Sequence, residues 1–222
     1  PAGNTSTVSD SQLYSIDTTA PTAGSLSAPD NIADTTPTIT GSGAKPNVSI
    51  TVTVTDNLGV VQTLTTTADG LGNYSVTPVT PLAEGSYTAS AIATDAAGNP
   101  SVPATDSGNI DTTAPDVTTG PTALTIDPVT TDNILNAAES SGTVTLTGSL
   151  SNIPADAATT GVTVTVNGVN YTAAVTGTTW STDVPGSSLL NDPDLTVDAT
   201  ATFTDPAGNT STVSDSQLYS ID

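Results

Sequence analysis

The seventeen residues PAGNTSTVSDSQLYSID occur twice, as Pro1–Asp17 and as Pro206–Asp222. Identity over that length is no accident, so the repeat constrains the chain before any motif does. The offset is 206 − 1 = 205 residues, and 222 residues read as one full period plus seventeen residues of a longer tandem array. The period also divides internally. Ser15-Ile16-Asp17-Thr18-Thr19-Ala20-Pro21 returns as Asn109-Ile110-Asp111-Thr112-Thr113-Ala114-Pro115, and Asp95-Ala96-Ala97-Gly98-Asn99 returns as Asp205-Pro206-Ala207-Gly208-Asn209. Cutting at these phrases gives three expected parts. Residues 1–17 are the last strand of a preceding repeat, 18–111 a module of 94 residues, and 112–222 a related module of 111 residues.

Within each module Thr alternates with Val, Ile and Leu at period two, the pattern of half-buried strands. The runs at 48–56, 60–67, 87–95, 142–149, 161–168 and 195–205 carry it most clearly, and no apolar pattern of helical period lasts three turns. Gly, Asn and Asp punctuate the runs. Asn167-Gly168 predicts a two-residue hairpin, because both central residues of that turn need positive φ. Seven short strands per module describe an all-β sandwich. In the first the expected strands are 22–27, 38–42, 48–55, 61–67, 73–78, 86–94 and 101–110. In the second they are 123–126, 143–148, 162–166, 169–176, 179–184, 195–204 and 211–221. Tyr74 and Trp180 take equivalent places on the fifth strands and are expected to anchor the two cores, since few other large side chains are present.

Charge excludes much of the remaining function space. Twenty-two acidic residues face a single cation, Lys45, for a net charge of −21. A phosphate backbone or an anionic membrane surface needs cations that this chain lacks. There is no Cys and no His, so disulfides, thiol chemistry, nucleophilic triads and zinc sites all lack a member. A carboxylate pair could hydrolyse a glycosidic bond, but a sugar cleft needs aromatic walls and Trp180 is the one tryptophan. No enzyme is expected. No stretch approaches the eighteen apolar residues of a membrane span.

Two functions are open to the carboxylates. Asp and Asn before Gly are ordinary turn formers that bond their own backbone. In a seven-strand sandwich, however, the loop between the sixth and seventh strands faces the incoming linker. That expectation gathers Asp111 with Asp205 and Asn209, where Asp30, Asp34 or Glu84 can reach from the first module, and at the entrance Asp17 with Asp95 and Asn99. Oxygen ligands on irregular loops suit Ca2+ better than Mg2+. A second candidate is Asp127, Asp132, Asn133 and Glu139. There Asn136 and Glu139 can instead close a capping box over one helical turn, and the spacing does not match an EF-hand loop. Asp56, Asp69, Asp156 and Asp183 are expected to be turn or surface residues.

Asp-x-x-Gly-Asn followed a dozen residues later by Ile-Asp-Thr-Thr-Ala-Pro, together with Asp132-Asn133-Ile134-Leu135-Asn136-Ala137-Ala138-Glu139, resembles the extender region of very large surface adhesins of Gram-negative bacteria, the biofilm-associated and RTX types. The resemblance covers both modules. It implies two tandem immunoglobulin-like Greek-key β-sandwiches end to end, and structural Ca2+ at the linkers held by Asp17, Asp95, Asn99, Asp111, Asp205 and Asn209. It also implies type I secretion to the cell surface and a role as a monomeric spacer that projects adhesive domains away from the cell. Its partners would be neighbouring repeats and calcium, with no nucleic acid and no membrane insertion. The chain has no glycine-rich nonapeptide repeats, membrane-retention domain or recognisable adhesive domain. The alternative function is a module that binds carbohydrate or a host protein. It is disfavoured by side faces rich in Thr and short of the aromatic and Arg anchors that interfaces use. Ice or mineral contact by Thr ladders is a further possibility, weakened by the shortness of the TVTVT runs.

Overall fold

The computed structural model describes residues 2–222. By backbone contacts the chain separates into two compact units, residues 1–30 with 36–109, and residues 31–35 with 110–222. Ala2 to Ala20 carry no helix or strand and are exposed throughout.

The first unit holds β1 (Ser25–Ser27), β2 (Ile39–Ser42), β3 (Ser49–Thr55), β4 (Val61–Thr67), β5 (Tyr74–Val76), β6 (Gly85–Thr94) and β7 (Ala104–Ile110). They form a three-stranded sheet β1-β2-β5 and a four-stranded sheet β4-β3-β6-β7. On β3 the residues Ile50, Val52 and Val54 are fully buried, while Thr51, Thr53 and Thr55 turn outward, as strand geometry requires. The neighbouring strand β6 contributes Ala89, Ala91 and Ala93. Such small side chains leave much of the filling to Tyr74 and Tyr87.

The second unit holds β8 (Ala123–Ile126), β9 (Ile134–Leu135), α1 (Ala137–Ser140), β10 (Thr143–Ser151), β11 (Thr159–Val166), β12 (Val169–Thr176), β13 (Thr179–Pro185), α2 (Gly186–Leu190), β14 (Thr196–Thr204), β15 (Thr210–Leu218) and β16 (Ser220–Ile221). Seven strands follow one another in hydrogen-bonded order, β15-β14-β11-β12-β13-β10-β8. The order matches the two sheets of the first unit joined through β12, which pairs with β11 along 169–173 and with β13 along 174–176. At the β11–β12 hairpin Asn167 and Gly168 both have positive φ, 50° and 71°, the geometry the Asn-Gly pair predicts.

The two fifth-strand aromatics occupy one structural position. Tyr74 lies opposite Gly41 on β2 and donates its hydroxyl to Ala23 O (3.1 Å) and Ser25 O (3.3 Å). Trp180 lies opposite Gly148 on β10 and donates its indole N–H to Thr125 O (3.2 Å). A β-carbon at either glycine would strike the aromatic ring, so the glycine is there to admit it. Each ring buries its apolar body and gives its polar tip to a carbonyl at or beside the first strand.

Two differences from the sequence reading have physical causes. The last strand of the second unit does not run unbroken from 211 to 221. It leaves β14 at Tyr219, whose hydroxyl bonds Leu189 O (2.7 Å), and β16 then pairs in parallel with β9. A one-residue version of the device joins Ile32 in parallel to Ile110. Pairs of two residues or one carry no periodicity, so neither β9 nor α2 left a signal. The capping box over α1 is present, Asn136 accepting from Glu139 N (3.1 Å) and Glu139 accepting from Asn136 N (3.0 Å).

Candidate functional site

The Asp-x-x-Gly-Asn string is first of all a piece of turn chemistry. Asp95 Oδ1 accepts from Ala97 N and Asn99 N, both at 2.9 Å, and Asp95 Oδ2 accepts from Asn99 Nδ2 at 3.0 Å. Asp205 and Asn209 repeat the arrangement, with Asn209 N on Oδ1 at 2.8 Å and Nδ2 on Oδ2 at 2.9 Å. So do Asp69 and Asn73 in the β4–β5 connection, at 2.8 and 3.2 Å. Asp56, 8% exposed, makes the carboxylate half of the same turn with Leu58 and Val60. The motif therefore specifies a loop whose carboxylate is satisfied by the backbone behind it.

What sets two of these loops apart is a third bond. The amide of Asn99 also donates to the carbonyl of Asp17 (3.0 Å), and that of Asn209 to the carbonyl of Asp111 (2.8 Å). Asp111 is held on its other side as well, its N–H donating to Ile32 O (3.0 Å) while its Oδ1 accepts from Thr113 N (3.1 Å). Asp17 Oδ1 accepts from Thr19 N in the same way (2.9 Å). Ser211 Oγ adds a bond to Pro115 O a few residues further on. Each sixth-to-seventh strand loop thus grips the peptide that leads into its own unit, using both hydrogens of one amide to join an Asp, half-buried at 95 and buried at 205, to the linker.

Of the remaining candidate ligands, Asp30 and Asp34 flank Ile32, whose carbonyl holds the Asp111 N–H. Asp30 and Asp34 are exposed beyond β1, and Asp30 lies close enough to Tyr87 to help burial and Asp106 push that phenol up to about 12. Glu84 is exposed before β6, its carbonyl accepting from Asn57 (3.2 Å). Asp127, Asp132, Asn133 and Glu139 are each engaged separately. Asp127 takes Thr147 Oγ1, Asp132 takes Thr130 Oγ1 and Ile134 N, Asn133 bridges Val129 N to Leu218 O, and Glu139 closes the capping box. Among the described residues no three acidic side chains gather as a ready cation cage.

Calcium can nevertheless be tested against the linker grip. Asp205 Oδ2 and Asp111 O both lie within 2.9 Å of one amide nitrogen. A half-turn of that amide would present Asn209 Oδ1 to the same two atoms. A carboxylate, a side-chain amide oxygen and a backbone carbonyl are ligand types that calcium takes. The donor set fits the ion, and in its present orientation the amide does the joining by itself.

The carboxylates of these turns share an electrostatic consequence. The Asn99 side chain, then its backbone, hold Asp95 below its ordinary 3.8. For Asp205 burial pushes upward, but the hydrogen bonds from Asn209, Gly208 and Ala207 outweigh it. Asp69 is lowered chiefly by the Asn73 backbone, and Asp56 by that of Val60. A carboxylate depressed in the fold contributes stability above its unfolded value and loses it as pH falls through the folded one. Asp192 works in the opposite sense, because burial and neighbouring Asp194 raise it and its charge therefore opposes folding as pH rises. The lowered groups outnumber it, so urea denaturation is expected to show clearly lower stability at pH 2.5 than at pH 6. An unchanged midpoint would refute the assignment.

Sequence reasoning missed one pair of functional carboxylates. Asp106 on β7 accepts from Ala28 N (2.8 Å) and Asp215 on β15 from Ile126 N (3.0 Å), tying the last strand of each unit to the end of its first. The signal was available, since Asp-Ser recurs at matched places as Asp106-Ser107 and Asp215-Ser216, and once more as Asp10-Ser11. The buried contact of Tyr219 with Asp192 (3.2 Å) had no such marker.

Comparison with known proteins agrees with this construction. Residues 11–112 match the model of a bacterial Ig-like domain. No curated sequence matches the chain. Among solved structures, a Ca2+-stabilized adhesin that helps an Antarctic bacterium reach out and bind ice is 30% identical, with a TM-score of 0.60 over 93% of this chain and 50% of its own. Part of a 1.5-MDa bacterial ice-binding adhesin is 24% identical, with a TM-score of 0.54 over 93% of this chain and 66% of its own. A bacterial immunoglobulin-like domain from the M. primoryensis ice-binding adhesin is 36% identical over 45% of this chain and 96% of its own, with a TM-score of 0.41. The chain thus spans about half to two thirds of the length of the first two. No described helix is long and apolar enough to cross a membrane. Residues 11–112 thus match the bacterial Ig-like domains, and the second unit repeats the strand order of the first.

Proposed function

We propose that the chain is a spacer in a bacterial surface adhesin, built from Ig-like modules at 18–111 and 112–222 with the closing strand of a further module at 1–17. The observation that carries this reading is the repeated linker grip, Asn99 on Asp17 and Asn209 on Asp111. A chain that only needed to link two folded bodies would leave the linker peptide to water. Here one amide of each module holds it, which fixes the direction in which the chain enters that module. The similarity to ice-binding adhesins supports an extracellular, cell-surface place for such a spacer.

Calcium is the second part of the proposal. Asp111, Asp205 and Asn209 would hold it at one linker and Asp17, Asp95 and Asn99 at the other, with Asp30, Asp34 and Glu84 as the acidic surroundings. The ion would supply charge neutralisation where a chain of net charge −21 repels itself. Extracellular sites of this kind need a Kd of only about 0.1–1 mM. Small-angle scattering with calcium and with chelator tests it. The account expects circular dichroism to stay constant while the maximum dimension changes on chelation. An unchanged dimension, with no heat of calcium binding, would remove the ion from the account and leave the amide grip alone.

A further inference from the structure

We propose that the stretches by which the chain enters and leaves the second unit form a lock against tension, its ties loaded in shear when the unit is pulled from its ends. The inference rests on the spacer reading, since a spacer passes load from end to end. The entry stretch is 111–135 and the exit stretch 209–222. Asn209 Nδ2 donates to Asp111 O (2.8 Å), and Ser211 Oγ donates to Pro115 O. Asp215 Oδ2 then accepts from Ile126 N (3.0 Å), and Asn133 Nδ2 donates to Leu218 O (2.7 Å). At the far end, where β16 lies parallel to β9, Ser220 N donates to Asn133 O (3.2 Å) and Asp222 N to Leu135 O (3.1 Å). Along these ties the residue numbers of both partners rise together. The two stretches therefore run side by side in the same direction.

Direction is what makes the ties a lock. Tension draws the entry stretch back toward its start and the exit stretch on toward its end, so parallel neighbours must slide past each other. Bonds that cross such a seam share the load, whereas a hairpin pulled open at its mouth gives up one bond at a time. Strand pairing alone does not supply this seam. β15 and β8 stand at opposite ends of the strand order, β15 paired with β14 and β8 with β10, so side chains join them. Tyr219 fixes the exit stretch to the body of the unit, its hydroxyl on Leu189 O (2.7 Å) and its N–H on Leu195 O (3.0 Å). The first unit carries two ties in the same order, Asn99 to Asp17 O (3.0 Å) and Asp106 to Ala28 N (2.8 Å).

Force spectroscopy on the full chain, held by its two ends, tests this, because forced unfolding is governed by the unfolding rate. The second module releases 111 residues and the first 94, which at about 3.5 Å per residue separates the two events by roughly 60 Å of length. Asp215→Ala and Asn133→Ala are each expected to speed unfolding of the second module at fixed force by about three- to tenfold, since a tie of ordinary strength must break on the way to the barrier. The first module should be unmoved. Asp183→Ala is the control, removing a carboxylate bonded to Thr145 Oγ1 (2.6 Å) across β13 and β10, strands that neither enter nor leave the unit. Its forced rate should stay within about twofold of the native one. Urea unfolding of the same variants gives the ordinary stability loss of each. Unchanged forced rates for both tie variants, or forced rates that follow the urea losses alike in all three, would overturn the lock. Either failure would count against the lock alone, because pulling reads the direction of bonds within this unit and not where the chain serves.

Discussion

Trp180→Ala is expected to destabilise the second unit by about 3–5 kcal/mol, the cost of emptying a large aromatic site in a core that cannot collapse to fill it. The indole is 2% exposed and lies over Gly148, so its loss leaves a void bordered on one side by backbone. The Thr125 carbonyl also loses the indole N–H. Trp180→Phe keeps most of the volume and gives up that bond, so it should cost distinctly less than the alanine variant. Thermal or urea unfolding would show two transitions, with only the one belonging to the second unit moved. A loss under about 1 kcal/mol would mean that the ring is not the anchor described here.

Asn209→Ala is expected to cost about 1–3 kcal/mol, the range for leaving buried acceptors without a donor. Two acceptors lose it together, Asp205 Oδ2 and the Asp111 carbonyl. Asp205 is 5% exposed, so water cannot readily take the place of the amide. Asn73→Ala removes the same side-chain bond to an Asp, but in an exposed loop where water is at hand, and should cost much less. The comparison separates turn chemistry, which the three loops share, from the linker grip.

The strands were legible because Thr against Val, Ile or Leu at period two leaves little choice of face. Val61–Thr67, Ala123–Ile126 and Val169–Thr176 fall where the pattern put them. The turn at Asn167-Gly168 was legible because its two φ angles admit few other residues. The linker grip was legible in part. The recurrence of Asp-x-x-Gly-Asn pointed to Asp111 with Asp205 and Asn209, but residue types do not reveal which atom of an amide faces a linker. The same spacing at Asp69–Asn73 forms a turn with no linker role, so the string alone does not carry a function. Asp106 and Asp215 were overlooked for a different reason. A single acidic residue on an exposed strand edge looks like solvation until the first strand's N–H is seen pointing at it.

The alternation of modules has a bearing on folding. Neighbouring identical domains are prone to swap elements during folding, and here the immediate neighbours differ, 94 residues against 111, while identical strands recur only every 205 residues. Separation of like strands by a whole dissimilar module lowers the chance that they meet within one chain.

The most direct measurement of the linker account is amide hydrogen exchange at Asp111 in the intact chain, recorded for the native protein and for Asn209→Ala. With the Asp111 carbonyl held by the Asn209 amide and its own N–H held by the Ile32 carbonyl, that N–H should be protected in the native protein and lose much of its protection in the variant. Free exchange at Asp111 in the native protein, or protection that survives the substitution, would contradict it.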